Sequence, residues 1–372
     1  KSGAEYFPAL ETAIDAATSE IHIQTYIFAD DLTGRRIADA LARAVQRGVS
    51  VNVLVDGYGT RNYLGTLRNE MIAANIQLLI FRPELGTFTL SRQRLRRMHR
   101  KIALIDARIA FVGGINIIDD MHTPRHTPPR YDYAARIEGP VVPSIVEHTR
   151  RLWRIVAWAN LRQNWDVPPR AMPDATPRGH QRAMFLVRDN FLHRSDIEDA
   201  YLEAIASADE EIIIANAYFF PGWRFRREIV RAAERGVRVI LLLQGRVEYV
   251  LLHYASRALY GSLLDAGVEI HEYHKSFLHA KVAVVDARWA TVGSSNIDPF
   301  SLMLGREANL VVADRRFALE LRESLAAHME EGAKPVAKQH WRRRPLRERV
   351  LVWIAYGISR ALMGFFGYGG RH

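Results

Sequence analysis

Apolar residues along this chain switch between two periods. Residues 7–17 repeat every three to four positions, the stripe of an amphipathic helix, and "IHIQTYIF" (21–28) then reads as a strand. A helical stretch at 33–47, the strand "VSVNVLVD" (49–56), a helix at 64–74 and a strand at 76–81 follow. The paired strands "KIALID" and "IAFVGG" close the set. The same order returns later through "EIIIANAYFF", "VRVILLLQ", "VEIHEY", "KVAVVD" and "WATVGS". Alternating helix and strand patterns predict an α/β fold, with sheets flanked by helices.

The recurrence extends to side chains. "QRGVSVNVL" (47–55) matches "ERGVRVILL" (234–242), and "AANIQLL" (73–79) matches "DAGVEIH" (265–271). Two octets, "HRKIALID" (99–106) and "HAKVAVVD" (279–286), share the form His-x-Lys, four residues, Asp. Each is followed at equal spacing by Gly and Asn: Gly113 and Asn116 in "GGIN", Gly293 and Asn296 in "GSSN". The expected architecture is therefore two tandem duplicated domains, each a mostly β-sheet core flanked by helices. A pseudo-two-fold axis relates them, with one active site shared between them. The expected boundaries are 1–163 and 183–332. A Pro-rich linker (164–182) separates them, and a basic-hydrophobic tail (333–372) follows. The offset between the halves shortens from 192 residues at "AANIQLL" to 180 at the octets, so the first half carries 12 extra residues before its octet. They include "TFTLSRQRLRRM" (87–98), where apolar residues mix with Arg92, Arg94, Arg96 and Arg97.

Composition sharpens the octets. The 372 residues are 48% hydrophobic and 25% charged, with a net charge of +10. A basic chain of this kind favours an anionic partner: nucleic acid, an anionic membrane or a phosphate-bearing substrate. There is no cysteine, which excludes disulfides, thiolate catalysis and Cys-ligated zinc and fits a reducing compartment. The chain opens on Lys1 rather than Met, so a preceding segment is expected, and no signal-peptide pattern is visible. Lysine occurs only six times against 45 arginines, yet both octets carry it at the same place, as Lys101 and Lys281. An ammonium is a compact point charge, unlike the planar guanidinium fork, and suits a site that must crowd cations around one phosphoryl group.

On a strand, His99 and Lys101 project to one face, as do His279 and Lys281. One such octet would be an ordinary polar-edged strand ending in an Asp turn. Two copies meeting at an axis assemble two His, two Lys and two Asn around a phosphodiester. Lys101, Lys281, Asn116 and Asn296 would bind the nonbridging oxygens, with Ser294 as a further donor. One neutral His would attack phosphorus and the other, protonated, would release the alkoxide. Each needs a carboxylate to orient it; Asp132 in "YDYAARIEGP" and Glu307 in "REANLVV" are the candidates. Neither metal nor cofactor is required. Asp106 and Asp286 complete the motif, but they fall on the opposite face and are expected to serve the fold through backbone hydrogen bonds. No P-loop, nucleophile elbow or HExxH pattern is present.

"HRKIALIDARIAFVGGIN" and "HAKVAVVDARWATVGSSN" resemble the paired signature motifs of the phospholipase D superfamily. "GGIN", "YDYAARIEGP", "ANAYFFPG" and "VGSSNIDPFSL" resemble bacterial cardiolipin synthases of the type without N-terminal transmembrane helices. The resemblance implies a phosphohistidine intermediate, with His99 as nucleophile and His279 as acid. It also implies transfer of a phosphatidyl group from one phosphatidylglycerol to another with release of glycerol. Hydrolysis to phosphatidic acid is the alternative. A nuclease of the same superfamily, or a membrane-binding protein with a vestigial site, fits less well. The tail favours lipid over nucleic acid. Trp341, Arg342, Arg343 and Arg344 precede a largely apolar run from Val350 to Phe366, broken by Arg360. This is the pattern of a helix lying in the headgroup region of an anionic bilayer. The expected partners are phosphatidylglycerol, cardiolipin and the membrane surface. The expected location is peripheral, on the cytoplasmic side of a bacterial cell membrane.

Overall fold

The computed structural model describes residues 1–83, 96–123, 127–162, 171–189, 192–246, 250–298 and 305–363, the side chains of Leu252, His340, Arg342, Leu362 and Met363 excepted. The first half runs α1 (Ser2–Asp15), β1 (Glu20–Thr25), α2 (Leu32–Gln46), β2 (Ser50–Asp56), α3 (Leu67–Ala73), β3 (Gln77–Phe81), β4 (Lys101–Ile105), β5 (Ile109–Gly113), β6 (Arg130–Tyr131), β7 (Ala134–Ile137) and α4 (Val142–Ala159). The second runs β8 (Arg182–Arg188), α5 (Asp196–Ala206), β9 (Glu211–Asn216), α6 (Trp223–Glu234), β10 (Arg238–Gln244), α7 (Val250–Arg257), α8 (Tyr260–Asp265), β11 (Glu269–Tyr273), β12 (Phe277–Leu278), β13 (Lys281–Val285), β14 (Trp289–Gly293), β15 (Glu307–Ala313) and α9 (Arg315–Gly332). Then come β16 (Ala333–Pro335), α10 (Lys338–Arg342) and α11 (Leu346–Met363).

The sheets repeat one order. The first is β3-β2-β1-β4-β5-β7; the second contains β11-β10-β9-β13-β14-β15, with β16 and β8 added at its edges. The first three strands of each set run parallel and the rest antiparallel. The octets thus fill the fourth place of each sheet, beside β1 and β9. Both faces of these central strands are buried, so apolar and polar positions do not separate cleanly along them. In β1, Ile21 and Ile23 enter the core beneath α1 and α2. Glu20, His22 and Gln24 alternate with them and are also buried. On that face Arg150 of α4 pairs with Glu20, and Gln24 donates to the Thr149 carbonyl at 2.9 Å.

The turn after each octet explains its Asp. Asp106 and Ala107 have φ of 51° and 49°, and Asp286 and Ala287 have 50° and 49°. Two consecutive left-handed residues make the hairpin turn whose twist matches the flanking strands, and Asp tolerates that region better than most side chains. Asp106 accepts from the backbone N–H of Thr18, Ser19 and Glu20, and Asp286 from Asp209, Glu210 and Glu211. Each Asp therefore ties the hairpin to the start of the neighbouring parallel strand.

Two short ribbons join the halves. β6 pairs with β12, Phe277 opposite Arg130 and Leu278 opposite Tyr131. Met98 pairs with Arg306 in the counterpart ribbon, where the His99 N–H donates to the Arg306 carbonyl at 3.0 Å. A shared core lies beneath: Ile102, Leu104 and Val112 pack with Val187, Ala308 and Leu310. The tail corrects expectation. Residues 333–335 extend the second sheet as β16, and Trp341 stacks on Tyr260 at 4.9 Å. Val352 and Ala355 of α11 are buried, and Tyr356 meets Phe220 edge-on at 5.8 Å. Trp341 is thus a packing residue, because a flat indole found an aromatic partner within the chain.

Candidate active site

Both octets present His and Lys at the end of the sheet where the parallel strands finish, since Lys281 lies opposite Asn216, the last residue of β9, and Gln24 near the end of β1 lies opposite Ile102. His99 is positioned by the Met98–Arg306 ribbon, and His279 by β6–β12, where its N–H donates to the Tyr131 carbonyl at 2.8 Å. The same ribbons deliver the carboxylates, one residue beyond each bridge partner. The result is an exchange. His99 of the first half has Nδ1 3.0 Å from Oε1 of Glu307 in the second. His279 of the second half has Nδ1 2.6 Å from Oδ2 of Asp132 in the first. With Nδ1–H donating to a carboxylate, each Nε2 is left as the reactive nitrogen.

Burial dominates the electrostatics. It lowers the pKa of His99, against the pull of Glu307, and it lowers that of His279 well below the usual imidazole value, helped by Lys281. Burial also brings Lys101 down to about 7, with Glu307 opposing. Burial alone would raise Glu307, but His99, Lys101 and Ser294 together outweigh it and hold the carboxyl low. Asp132 goes the other way: burial raises it more than Lys281 lowers it. An incoming phosphate anion would favour the charged forms of every imidazole and ammonium here. The Lys101 ammonium donates to the His99 carbonyl at 2.6 Å, and Lys281 donates to that of His279. His99 keeps 17% of its side chain exposed and His279 11%.

The remaining predicted residues divide. Asn116 accepts from the Ile27 N–H at 3.1 Å, which leaves its amide N–H2 as a donor; the buried Asn296 has no partner for Oδ1 among the described residues. Ser294 does not point to a phosphate. Its hydroxyl donates to Glu307 Oε2 at 2.5 Å and accepts from the Ala308 N–H at 3.0 Å. Its counterpart Gly114 leaves room for Asp132, whose carboxylate a Cβ would meet at 2.4 Å. The Gly/Ser difference thus tunes the carboxylates, not the phosphate cradle. Asp106 and Asp286, placed in the catalytic set by motif, sit at the far ends of their strands among backbone donors. Arg92 and Arg94 lie outside the described residues. Arg96 and Arg97 are half-buried, and Arg97 stacks over Tyr58 at 4.9 Å.

Sequence reasoning missed two supports. Asp56, fully buried at the end of β2, accepts from the N–H groups of Tyr58, Gly59 and, at 2.8 Å, Met98, fixing the residue before His99. Tyr26 meets the His99 ring edge-on at 4.9 Å and lies under the Lys101 ammonium at 5.4 Å. The shared "YxF" of "QTYIF" and "NAYFF" was the available signal for Tyr26.

Paired His-Lys octets with exchanged carboxylates form a duplicated candidate site whose groups suit phosphodiester transfer. The chain belongs to the family described as cardiolipin synthase, PLD-like domain, which matches residues 10–128 and 201–329. It is 41% identical over 325 residues to cardiolipin synthase B of Escherichia coli K12, covering 87% of this chain and 78% of that one. It is 40% identical over 336 residues to cardiolipin synthase B of Salmonella typhimurium, covering 90% and 81%. The phosphatidylserine synthase of Haemophilus influenzae shares the fold, with a TM-score of 0.72 at 14% identity over 96% of this chain and 93% of that one.

Proposed function

We propose that this chain is a cardiolipin synthase, transferring a phosphatidyl group from one phosphatidylglycerol to another and releasing glycerol. The observation that carries the mechanism is the exchange of carboxylates, His99 with Glu307 and His279 with Asp132. The observation that carries the substrate is the likeness to relatives named for that product.

In the first step His99 Nε2 attacks phosphorus and forms a P–N bond. The bond from phosphorus to the headgroup glycerol oxygen breaks, and His279 gives that oxygen its proton. Glu307 stabilises the positive charge that the phosphorylated ring acquires. Lys101, Lys281 and the Asn116 amide neutralise charge on the nonbridging oxygens. In the second step His279 takes the proton from a headgroup hydroxyl of the second phosphatidylglycerol. That oxygen attacks phosphorus, the P–N bond breaks and His99 is restored.

The reaction is interfacial, and α11 supports a peripheral membrane association. It docks one face on the second half, yet Trp353 is 61% and Ile354 53% exposed, with Val350, Leu351 and Ile358 also outward and Arg343, Arg347 and Arg349 beside them. No helix among the described residues is long and apolar enough to cross a membrane. A basic-apolar face of this kind fits the headgroup layer of an anionic leaflet, and the cysteine-free composition agrees with the cytoplasmic one.

Incubation with phosphatidylglycerol vesicles tests the proposal. Cardiolipin and glycerol are the expected products. Phosphatidic acid alone would make the chain a hydrolase, and nicked DNA without lipid turnover would remove the lipid reading.

A further inference from the structure

Alternation along the strand sends Arg100 to the side opposite His99 and Lys101, the side on which Met98 packs against Trp153 and Val156 of α4. Arg306 likewise points away from its neighbour Glu307, and its guanidinium stands 5.9 Å from the Phe81 ring at the end of β3. Arg82 shares that ring at 5.5 Å and donates to the Arg96 carbonyl at 3.3 Å. Arg82, Arg96, Arg100 and Arg306 therefore gather behind the His99 ribbon, with Arg151 of α4 within electrostatic reach. Asp189 acts on Arg100 and Arg306 through its charge, and already accepts from the N–H groups of Leu192 and His193.

Arg100 is the anomaly. It is only 2% exposed, yet among the described residues its Nε and Nη1 have no hydrogen-bond partner, and neither has the buried Nε of Arg96. Glu307 and Asp189 act on Arg100 through their charge, but a buried guanidinium with unbonded N–H groups is still among the costlier features a fold can carry. Burial, and then Arg306, push its pKa down to about 9.

The duplication supplies an internal control. At the same place in the second half, Ala280 replaces Arg100, Tyr131 replaces Arg306 and Tyr273 replaces Phe81. There the space is filled: Tyr131 stacks on His328 at 3.8 Å, and Tyr133 bonds to Ser324 at 2.9 Å. The fold can fill this space with satisfied aromatic groups. In the first half it leaves Nε and Nη1 of Arg100 and Nε of Arg96 unbonded instead.

We propose that the first-half arginine cluster is a second anion site, separate from the catalytic pair, that takes a phosphate oxyanion. Guanidinium forks bind such oxygens in pairs, and the unbonded Nε and Nη1 of Arg100 offer two such donors. Free phosphate and the phosphate of an anionic lipid headgroup share this chemistry. Only the lipid source rests on the synthase reading.

The test compares thermal stability in phosphate and in chloride at equal ionic strength. The catalytic site also takes phosphate, so the effect is resolved by a double-mutant cycle. Arg100→Met should lose about half of the phosphate-dependent rise in Tm, Lys281→Met a comparable part, and the double variant the sum. Without phosphate, Arg100→Met should be at least as stable as the parent. A full phosphate response in Arg100→Met would overturn the site, as would a double variant no worse than Lys281→Met. If Arg100→Met does not fold, the half-buried Arg306→Gln takes its place in the same cycle.

Co-sedimentation with vesicles of phosphatidylglycerol in phosphatidylcholine then assigns the source. Binding at least threefold weaker in Arg100→Met identifies lipid phosphate. Unchanged vesicle binding, with the phosphate response lost, identifies soluble phosphate. Neither measurement reads turnover, so failure to make cardiolipin would leave this site standing, and the reverse.

Discussion

Replacing Glu307 by Gln isolates what the carboxylate contributes to His99. The amide keeps the size and can still accept from Nδ1–H, so the ring stays in place while the negative charge goes. Nδ1 lies 3.0 Å from the nearer oxygen, and Glu307 is fully buried. Opposite charges at about 4 Å attract by about 4 kcal/mol at a typical effective dielectric, and one such neighbour moves a pKa by about 1–3 units. In the proposed reaction that attraction is felt when the ring becomes phosphorylated and cationic. A loss of about 1.4–4 kcal/mol corresponds to a fall in kcat of about 10- to 1000-fold. KM should move little, because Glu307 sits behind the ring. The pH profile gives an independent sign. Glu307 raises the pKa of His99 against burial, so its removal lowers that pKa. The acid limb, where protonation of His99 stops attack, should shift to lower pH. Initial rates on mixed phosphatidylglycerol vesicles between about pH 5 and 9 would measure both. A kcat within threefold of the parent, or an acid limb moving up, would refute the assignment.

Three further outcomes follow from the same geometry. Lys101, brought down to about 7 by burial, is mostly neutral in the empty site at pH 8, and a bound phosphodiester raises its pKa. Calorimetry in buffers of different ionisation enthalpy should therefore show proton uptake at pH 8 that diminishes in Lys101→Met; no uptake at pH 8 would count against it. On α11, the double variant Trp353→Ser, Ile354→Ser should weaken flotation with phosphatidylglycerol vesicles by about tenfold or more while shifting Tm by less than about 2 °C, since both side chains face outward. Asp286→Ala should cost about 1–3 kcal/mol by orphaning three backbone N–H groups, with kcat of the folded fraction unchanged within about twofold. Those N–H bonds outweigh burial and depress the Asp286 pKa, so its stabilisation is present above about pH 4 and is lost as pH falls through the folded value. Equal urea midpoints for parent and variant at pH 7 would contradict that role.

The duplication, the octets and both carboxylates were legible because each leaves a local mark: a spacing, a strand period, an acidic residue beside or at the start of a strand. Pairing left none. His99 is 208 positions from Glu307 and His279 is 147 from Asp132, and only the ribbons at Arg306 and Tyr131 decide which meets which. Strands as short as β6 and β12 are below the length at which a period of two can be seen. Ser294 was misread because a hydroxyl beside a phosphate and a hydroxyl beside a carboxylate look alike in sequence. The tail was half legible for a similar reason. An apolar stripe reads the same whether it will pack on protein or lipid, and α11 presents one side to each.

The exchanged carboxylates also constrain how the duplicated halves could diverge. Each half supplies one His and one orienting carboxylate, and neither completes a site alone. The two carboxylate positions differ. His99 now faces a Glu held by Ser294 and kept ionised; His279 faces a shorter Asp, raised by burial, with Gly114 where the serine would be. An ionised partner favours the ring that, in the proposed reaction, becomes cationic as a phosphohistidine. A partner closer to neutrality holds its ring less firmly in the charged form, which suits a group that must give up a proton and then recover it. The asymmetry of the supports thus gives a physical ground for placing the nucleophile at His99 and the acid at His279, where two nearly identical octets give none.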